Sequence, residues 1–468
     1  MKRTYTAEAT KQTGHKIKIA GWVHARRDHG KIVFLDLRDK EGVLQVVFTQ
    51  KAKEAYKTVD PVPDEWVVEI EGTMQKRPGS TQNKDIATGT IEMEATKLTV
   101  LAESETPPFP IDTDGYEITE ETRLKYRYID LRRPRLQRNL KVRSDYVKAA
   151  REYLFTQDFT EIETPLLTKS TPEGSRDFVV PSRIYPGKFF ALPQSPQQYK
   201  QLLMASGIEK YFQVAKALRD EDPRADRAYE HSQIDLEMSF VEQQDVMDTV
   251  ENMTIHAIEA IGGKIAKKPF PVFTYEQAMK QYGADKFDLR TEKEKKSGVL
   301  SFAWVTQFPL FEKTDEGKWT FSHNPFSAPL DAAHEKLLLQ GKKIGTLLSS
   351  QYDLVCNGLE VSGGSIRTHK PEVLKAVFKV MGYKDKEIEK DFGHMIQAFR
   401  LGTPPHGGCA QGFERLLMAH LNEEFIREIQ AFPQTGQGRT SVVDAPSELT
   451  AKQLKEFGLS VIKRDKKK

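Results

Sequence analysis

The stretch Tyr211–Phe240, YFQVAKALRDEDPRADRAYEHSQIDLEMSF, decides how this chain is read. Its last ten residues alternate. Ile234, Leu236, Met238 and Phe240 fall on one face, and Gln233, Asp235, Glu237 and Ser239 on the other. The segment YFQVAKALR reads as a second strand, ending at Arg219. Between the two lies RDEDPRADR (219–227), with four acids and three arginines in nine residues. A salt-bridged surface turn would account for those nine alone, because exposed ion pairs are common and worth little. Taken with its flanks, the stretch is an antiparallel pair that carries polar residues toward a concave face under a charged loop. Such a loop suits a polyphosphate accompanied by metal ions: arginines meet phosphate oxygens, and acids meet metals or amines.

Around this pair, further strands (FFALP, FAWVTQFPLF) run into one another more often through hairpins than through helices. That pattern favours an α+β domain on a largely antiparallel sheet with flanking helices. The spacing of Leu140, Tyr146, Val147, Ala150, Leu154 and Phe155 predicts an amphipathic helix from Asn139 to Phe159. Two more stretches share the character of the charged loop. DLVCNGLEVSGGSIRTH (353–369) sets Asp353 and Glu360 ahead of Gly363-Gly364 and Arg367. GTPPHGGCAQGFERLLMAHL (402–421) is Gly- and Pro-rich, then becomes an apolar helix with Arg415 in its first turn. Glycines permit close backbone approach to a ligand, and an arginine there adds to the positive end of the helix dipole.

The first part of the chain differs. KIKIAGWVHARR, KIVFLDLRD, GVLQVVFT, EWVVEIEGTMQ (with Val67, Ile70 and Thr73 read as alternating) and TIEMEATKLTVL are five short strands within residues 1–102. They predict a small barrel of the OB type. Residues 103–138 read as a linker passing into a basic hinge, and 139–468 as the α+β domain. The run RLKYRYIDLRRPRLQRNLKVR (123–143) is either a solvated face or a contact for a phosphate backbone. With a net charge of only +3, a nucleic-acid partner would be met by a local patch. The two cysteines, Cys356 and Cys409, have no CxxC partner, which argues against a zinc site and a disulfide framework and suits a reducing cytoplasm. No apolar run approaches a membrane span.

Together these segments resemble the aspartyl-tRNA synthetases of the bacterial lineage, within the class II aminoacyl-tRNA synthetases. FTEIETPLLTKSTPEGSRDF with Pro165 resembles the end of the family's motif 1 (about 139–165) and the segment after it. ALRDEDPRADRAYEHSQIDLEMSF lies in motif 2 (about 211–240), and GFERLLMAHL in motif 3 (about 402–421). RLKYRYIDLRRP, LPQSPQQYKQLLM, HNPFSAP and GTPPHGG match the family too, so the likeness spans nearly the whole chain. It implies ATP-dependent attachment of aspartate to tRNA(Asp) through an aspartyl-adenylate. By the resemblance, Arg219 holds the α-phosphate and the aspartate carboxylate, Glu221 faces adenine, and Arg415 grips the γ-phosphate. Asp353 and Glu360 would carry Mg²⁺. Glu360, Gly412, Phe413 and Glu414 complete the ATP set with His231, which stands where a phenylalanine usually stacks on adenine. Lys200 and Arg367 match the cations that bind the side-chain carboxylate, and Glu173, Gln197, Gln233, Asp235 and His323 match the rest of the amino-acid shell. In the barrel, Arg27, Phe34, Gln45 and Glu92 match anticodon-reading positions. His29 resembles members that also charge tRNA(Asn) for later repair by an amidotransferase. A twofold homodimer is implied by motif 1.

Departures accompany the likeness. Ala228 replaces a glutamine that usually contacts ATP, Asn324 replaces a second histidine, and the family's large insertion domain is expected to be absent near 291–300. Rival readings are an asparaginyl or lysyl enzyme, which should not keep both Lys200 and Arg367, and a catalytically silent tRNA-binding relative, which should lose Arg219, Glu360 or Arg415.

Overall fold

The structure, a computed structural model, describes residues 1–84, 86–170 and 174–462. It divides into two compact units, Met1–Asp112 and the chain from Thr113 onward. In the first unit β1 (Lys16–Asp28), β2 (Ile32–Asp39), β3 (Gly42–Thr49), β4 (Val67–Lys76) and β5 (Ile91–Ala102) close into a barrel in the order β1-β2-β3-β5-β4. All neighbours are antiparallel except β3 and β5. Alternation sends Ile19, Val23, Leu35, Leu37, Val46 and Met93 into one core. In β4 the period of two turns Val68, Ile70 and Met74 inward, so Val67 and Thr73 lie on the face opposite Ile70.

The second unit is built on an eight-stranded sheet in the order β11-β12-β15-β16-β17-β10-β9-β6. Its strands are β6 (Thr160–Glu161), β9 (Lys210–Leu218), β10 (Glu230–Ser239), β11 (Val272–Thr274), β12 (Phe302–Thr306), β15 (Gln351–Cys356), β16 (Leu359–Ile366) and β17 (His406–Gln411). Two small hairpins flank it: β7 (Val179–Pro181) with β8 (Phe189–Ala191), and β13 (Phe311–Lys313) with β14 (Trp319–Phe321). Internal pairings are antiparallel, and only the outermost, β11–β12 and β6–β9, are parallel. One face carries Ile234, Leu236, Met238, Trp304 and Tyr352 into a core shared with the helices Pro134–Thr156 and Gln243–Ala260. Pro134 starts the first of these helices earlier than the apolar spacing predicts, at the position where a missing N–H costs nothing. Phe155 and Phe240 leave their expected apolar faces, being 54% and 68% exposed. Phe240 lies just past β10, at a φ of 59°.

Four arginines of the basic run 123–143 are internal. Arg123, Arg127, Arg133 and Arg135 are at most 8% exposed. Arg127 donates to Asp130 at 2.7 Å and to the carbonyls of Arg427 and Gln430 at 3.0 and 2.9 Å. Arg123 and Arg135 both reach Glu428, at 2.7 and 2.9 Å, and Arg135 also reaches Glu423 at 2.6 Å. These arginines fasten the 423–430 segment to the start of the unit, which corrects the expectation that they meet a phosphate backbone. Buried cations need internal anions, and these have them. Between Asp288 and Phe302 the chain makes a single short helix, Glu292–Lys296. Among the described residues no helix is long and apolar enough to cross a membrane.

Candidate active site

A cavity of about 600 Å³ opens over the polar face of the sheet. Gln197, Lys200, Arg219, Glu221, His231, Gln233, Asp235, His323, Glu360, Arg367, Gly412, Glu414 and Arg415 all line it, with Ala228 and Asn324. Glu173 lies outside the described residues. Phe413 does not reach the cavity: its ring is fully buried in the core and stacks on Tyr146 at 6.1 Å. Its expected contact with ATP is therefore corrected to a packing role beneath Gly412 and Arg415.

At the floor four charged side chains, each at most 3% exposed, form a closed set. Lys200 Nζ lies 3.0 Å from Asp235 and 3.2 Å from Glu237. Arg367 donates to Glu237 at 3.0 Å, to Ser365 Oγ at 2.7 Å and to the Gly408 carbonyl at 3.1 Å. Lys200 and Arg367 are thus not bare cations awaiting an anion, as the sequence suggests. Glu237, which alternation places on the polar face without assigning it a role, already joins them. Burial alone would raise both carboxyls. For Glu237, Arg367 and Lys200 outweigh it and hold the pKa below the usual range, whereas for Asp235 burial prevails and lifts it to about 6. Gly408 makes this possible: a Cβ there would sit 2.0 Å from Glu237 Oε2. The glycines of GTPPHGG thus make room for a side chain of the neighbouring strand. Behind them, His406 donates Nδ1–H to the Pro404 carbonyl at 2.8 Å, which leaves Nε2 to accept from Gln201 at 3.0 Å. Three buried polar atoms beside the cavity have no partner among the described residues: Gln233 Nε2, Asp235 Oδ1 and His323 Nδ1.

The charged loop between β9 and β10 partly pairs with itself, Arg227 donating to Glu221 at 2.6 Å. Glu221 also accepts from Ser175. Arg219 gives Nε to the Gln194 carbonyl at 3.3 Å, while its terminal nitrogens have no partner among the described residues. Arg415 holds the Glu360 carbonyl at 2.8 Å and Asp226 at 3.2 Å. His231 is pushed down to about 3 by burial and by Arg219, Arg415 and Lys216, so its ring is neutral at pH 7. Glu414 accepts from Arg143 at 2.7 Å and from Gln430 at 2.8 Å.

Asp353 and Glu360 stand side by side on β15 and β16. A Cβ on Gly363 would lie 3.1 Å from Asp353 Oδ1 and 3.7 Å from Glu360 Oε1. His323 Nε2 is 3.2 Å from Asp353, and Lys286 Nζ is 2.7 Å from Glu360. Burial works against charging His323, yet Asp353 and Glu360 raise its pKa. Among the described residues no group of three or more His, Cys, Asp or Glu is placed to hold a metal ion. Two carboxylates alone still fit a hard cation such as Mg²⁺, which completes its shell with phosphate oxygens and water.

On the barrel, Arg27 is bidentate to Asp36 at 2.6 and 2.9 Å and reaches Gln45 at 3.3 Å. Glu92 accepts from Gln45 at 2.8 Å and from Gln75 at 3.1 Å. Phe34 pairs with Arg27 across β1–β2, and the His29 ring meets Phe34 edge-on at 5.5 Å. All five positions named from the sequence therefore share one surface. The structure adds Asp36 and Gln75, as well as Arg77, whose buried Nη2 has no partner among the described residues.

A barrel of this topology, and a sheet whose arginine-bearing strands and loops surround a polar cavity, define a class II tRNA synthetase. Residues 119–436 match the family described as tRNA synthetases class II (D, K and N), and 17–101 match the OB-fold nucleic acid binding domain; the chain belongs to that synthetase family, which uses ATP. Its curated relatives include the aspartate--tRNA(Asp/Asn) ligase of Rubrobacter xylanophilus, 37% identical over 98% of this chain and 97% of that one. Another is its namesake from Caldanaerobacter subterraneus, 38% identical over 98% of each. The first alignment spans 585 positions against 468 residues here, so that relative carries over a hundred residues without counterpart. Asparaginyl-tRNA synthetase from Pyrococcus horikoshii, solved with asparaginyl-adenylate, shares the fold with a TM-score of 0.74 at 23% identity, over 93% of this chain and 98% of that one.

Proposed function

We propose that this protein joins L-aspartate to ATP in an aspartyl-adenylate and passes the aspartyl group to tRNA(Asp) and tRNA(Asn). The observation that carries the reading is the neutral set Lys200, Asp235, Glu237 and Arg367 beside the open Asp235 Oδ1. The amino acid's ammonium would take that oxygen. Lys200 and Arg367 would then exceed Glu237 by one charge, which the side-chain carboxylate of aspartate matches. An asparagine amide leaves that surplus buried, at a cost of about 3–5 kcal/mol, roughly a hundredfold to several-thousandfold in rate. Arg219, with its terminal nitrogens open, orients the α-carboxylate, whose oxygen attacks the α-phosphorus as the bond to the β-phosphate oxygen breaks and pyrophosphate leaves. The nucleophile is already an anion, so no general base is required, and positioning and charge neutralisation supply the catalysis. Neutral His231 suits stacking on adenine, and Arg415 faces the γ-phosphate. Asp353 and Glu360 would hold Mg²⁺, which neutralises phosphate charge.

Arg27, Phe34, Gln45 and Glu92 would read the anticodon, with His29 admitting tRNA(Asn), whose aspartyl form is a substrate for an amidotransferase. The short connection near 291–300 is the place where the relatives' insertion domain is missing. Phe155, Leu166, Leu167 and Phe240, each more than half exposed, favour burial against a second copy in a twofold dimer. Two buried free cysteines suit the cytoplasm. ATP–pyrophosphate exchange with aspartate, asparagine and lysine offered separately tests the reading. Exchange with aspartate alone is expected; exchange with asparagine, or with none of them, would overturn it.

A further inference from the structure

Lys286 adjoins a packed residue, while its own side chain is 46% exposed. Phe287 is buried and stacks on Tyr282 at 4.2 Å with an edge contact to Phe273 at 5.4 Å, and its carbonyl accepts from Gly358 N at 3.1 Å. Gly358 belongs to the turn between β15 and β16, the strands that carry Asp353 and Glu360. The side chain of Lys286 is therefore aimed from a packed anchor, and its Nζ lies 2.7 Å from Glu360 Oε2. Glu360 lines the cavity and Lys286 does not.

We propose that Lys286 is a positioning residue, the resident counter-ion of the Asp353–Glu360 pair, which keeps a divalent cation from settling there until a nucleotide arrives. The inference rests on those carboxylates being the metal-binding pair. With Lys286 on Glu360 and His323 on Asp353, each acid has a cationic or hydrogen-bonding partner, and an incoming dication is repelled at short range. A triphosphate reverses the balance, since its own negative charge outweighs one ammonium. Metal and nucleotide binding are then coupled through Lys286.

The test is Mn²⁺ binding to the full-length protein, followed by loss of the free-ion EPR signal, with and without ATP. Lys286→Met should bind Mn²⁺ about tenfold more tightly than the wild type without ATP, with a smaller gain on adding ATP. Lys286→Arg, which keeps the charge, should behave as the wild type. Thermal melts of both variants confirm that they are folded. Equal or weaker Mn²⁺ binding by a folded Lys286→Met overturns the inference alone. If Glu360→Gln added to Lys286→Met leaves the tighter binding intact, the ion sits elsewhere, and the metal-pair reading fails together with the inference.

Discussion

At Asp235 one carboxylate has two demands on it. On the proposed reading it must be charged to receive an ammonium, yet it is fully buried, and burial lifts it to about 6. Its folded pKa therefore exceeds its unfolded one, so the stability it contributes is present at low pH and lost as pH rises through about 6. Binding runs the other way. Aspartate affinity measured by calorimetry from pH 5 to 8 should rise through about 6, losing about tenfold per unit below that point; a flat profile would count against the ammonium contact. Glu237 is its complement. Glu237→Gln leaves Lys200 with Asp235 alone and Arg367 without its carboxylate, and should cost about 3–5 kcal/mol of stability. Added L-aspartate should restore part of the lost melting temperature and L-asparagine should not; equal protection by both would sink the charge argument. Glu237 was legible in principle, two residues beyond Asp235 on the same face of a strand. What hid it is that its partners, Lys200 and Arg367, come from distant segments, and a single sequence does not show which cation meets which acid.

Strands with ordinary alternation, such as β9, β10 and the five of the barrel, could be read directly, because side chains on a pleated strand declare their faces. β17, HGGCAQ, could not. Glycine is a poor strand former, so the stretch looks like a ligand-binding loop leading into a helix, yet it is a central strand between β10 and β16. The reason is local: β17 passes close to Glu237 and to the backbone of Leu236, and a Cβ on Gly408 would lie 2.2 Å from the Leu236 carbonyl oxygen. Propensity gave way to the space a buried carboxylate needs. Gly408→Ala should therefore push Glu237 away or strain the strand, at about 1–3 kcal/mol of stability. Aspartate-dependent exchange should fall more than about tenfold as Lys200 and Arg367 lose their fixed anion. Unchanged exchange and melting temperature would mean that the sheet relaxes there without disturbing the site.

Across the whole molecule, what the sequence concealed is long-range pairing. Arg123 and Arg135 are met by Glu423 and Glu428, about three hundred residues later, and Arg127 and Arg133 by Asp130. A charge count by segment cannot see that. Four of the run's nine basic residues are therefore spent inside the fold, and the proposed reading leaves discrimination between tRNAs to the barrel. There the polar row Arg27, Asp36, Gln45 and Glu92 is knit together by hydrogen bonds, while Phe34 offers a ring face for stacking. Every residue of the candidate active site belongs to the other compact unit. A lesion on the barrel should accordingly separate two activities in one intact chain. In Phe34→Ala, ATP–pyrophosphate exchange without tRNA should match the wild type. Its kcat/KM for aspartylation of tRNA should drop by about tenfold to a hundredfold, the equivalent of one lost base stack of about 1–3 kcal/mol. A parallel loss of exchange would show that the barrel supports the catalytic unit itself; full aspartylation would show that Phe34 is only a packed strand residue and that the anticodon is read elsewhere.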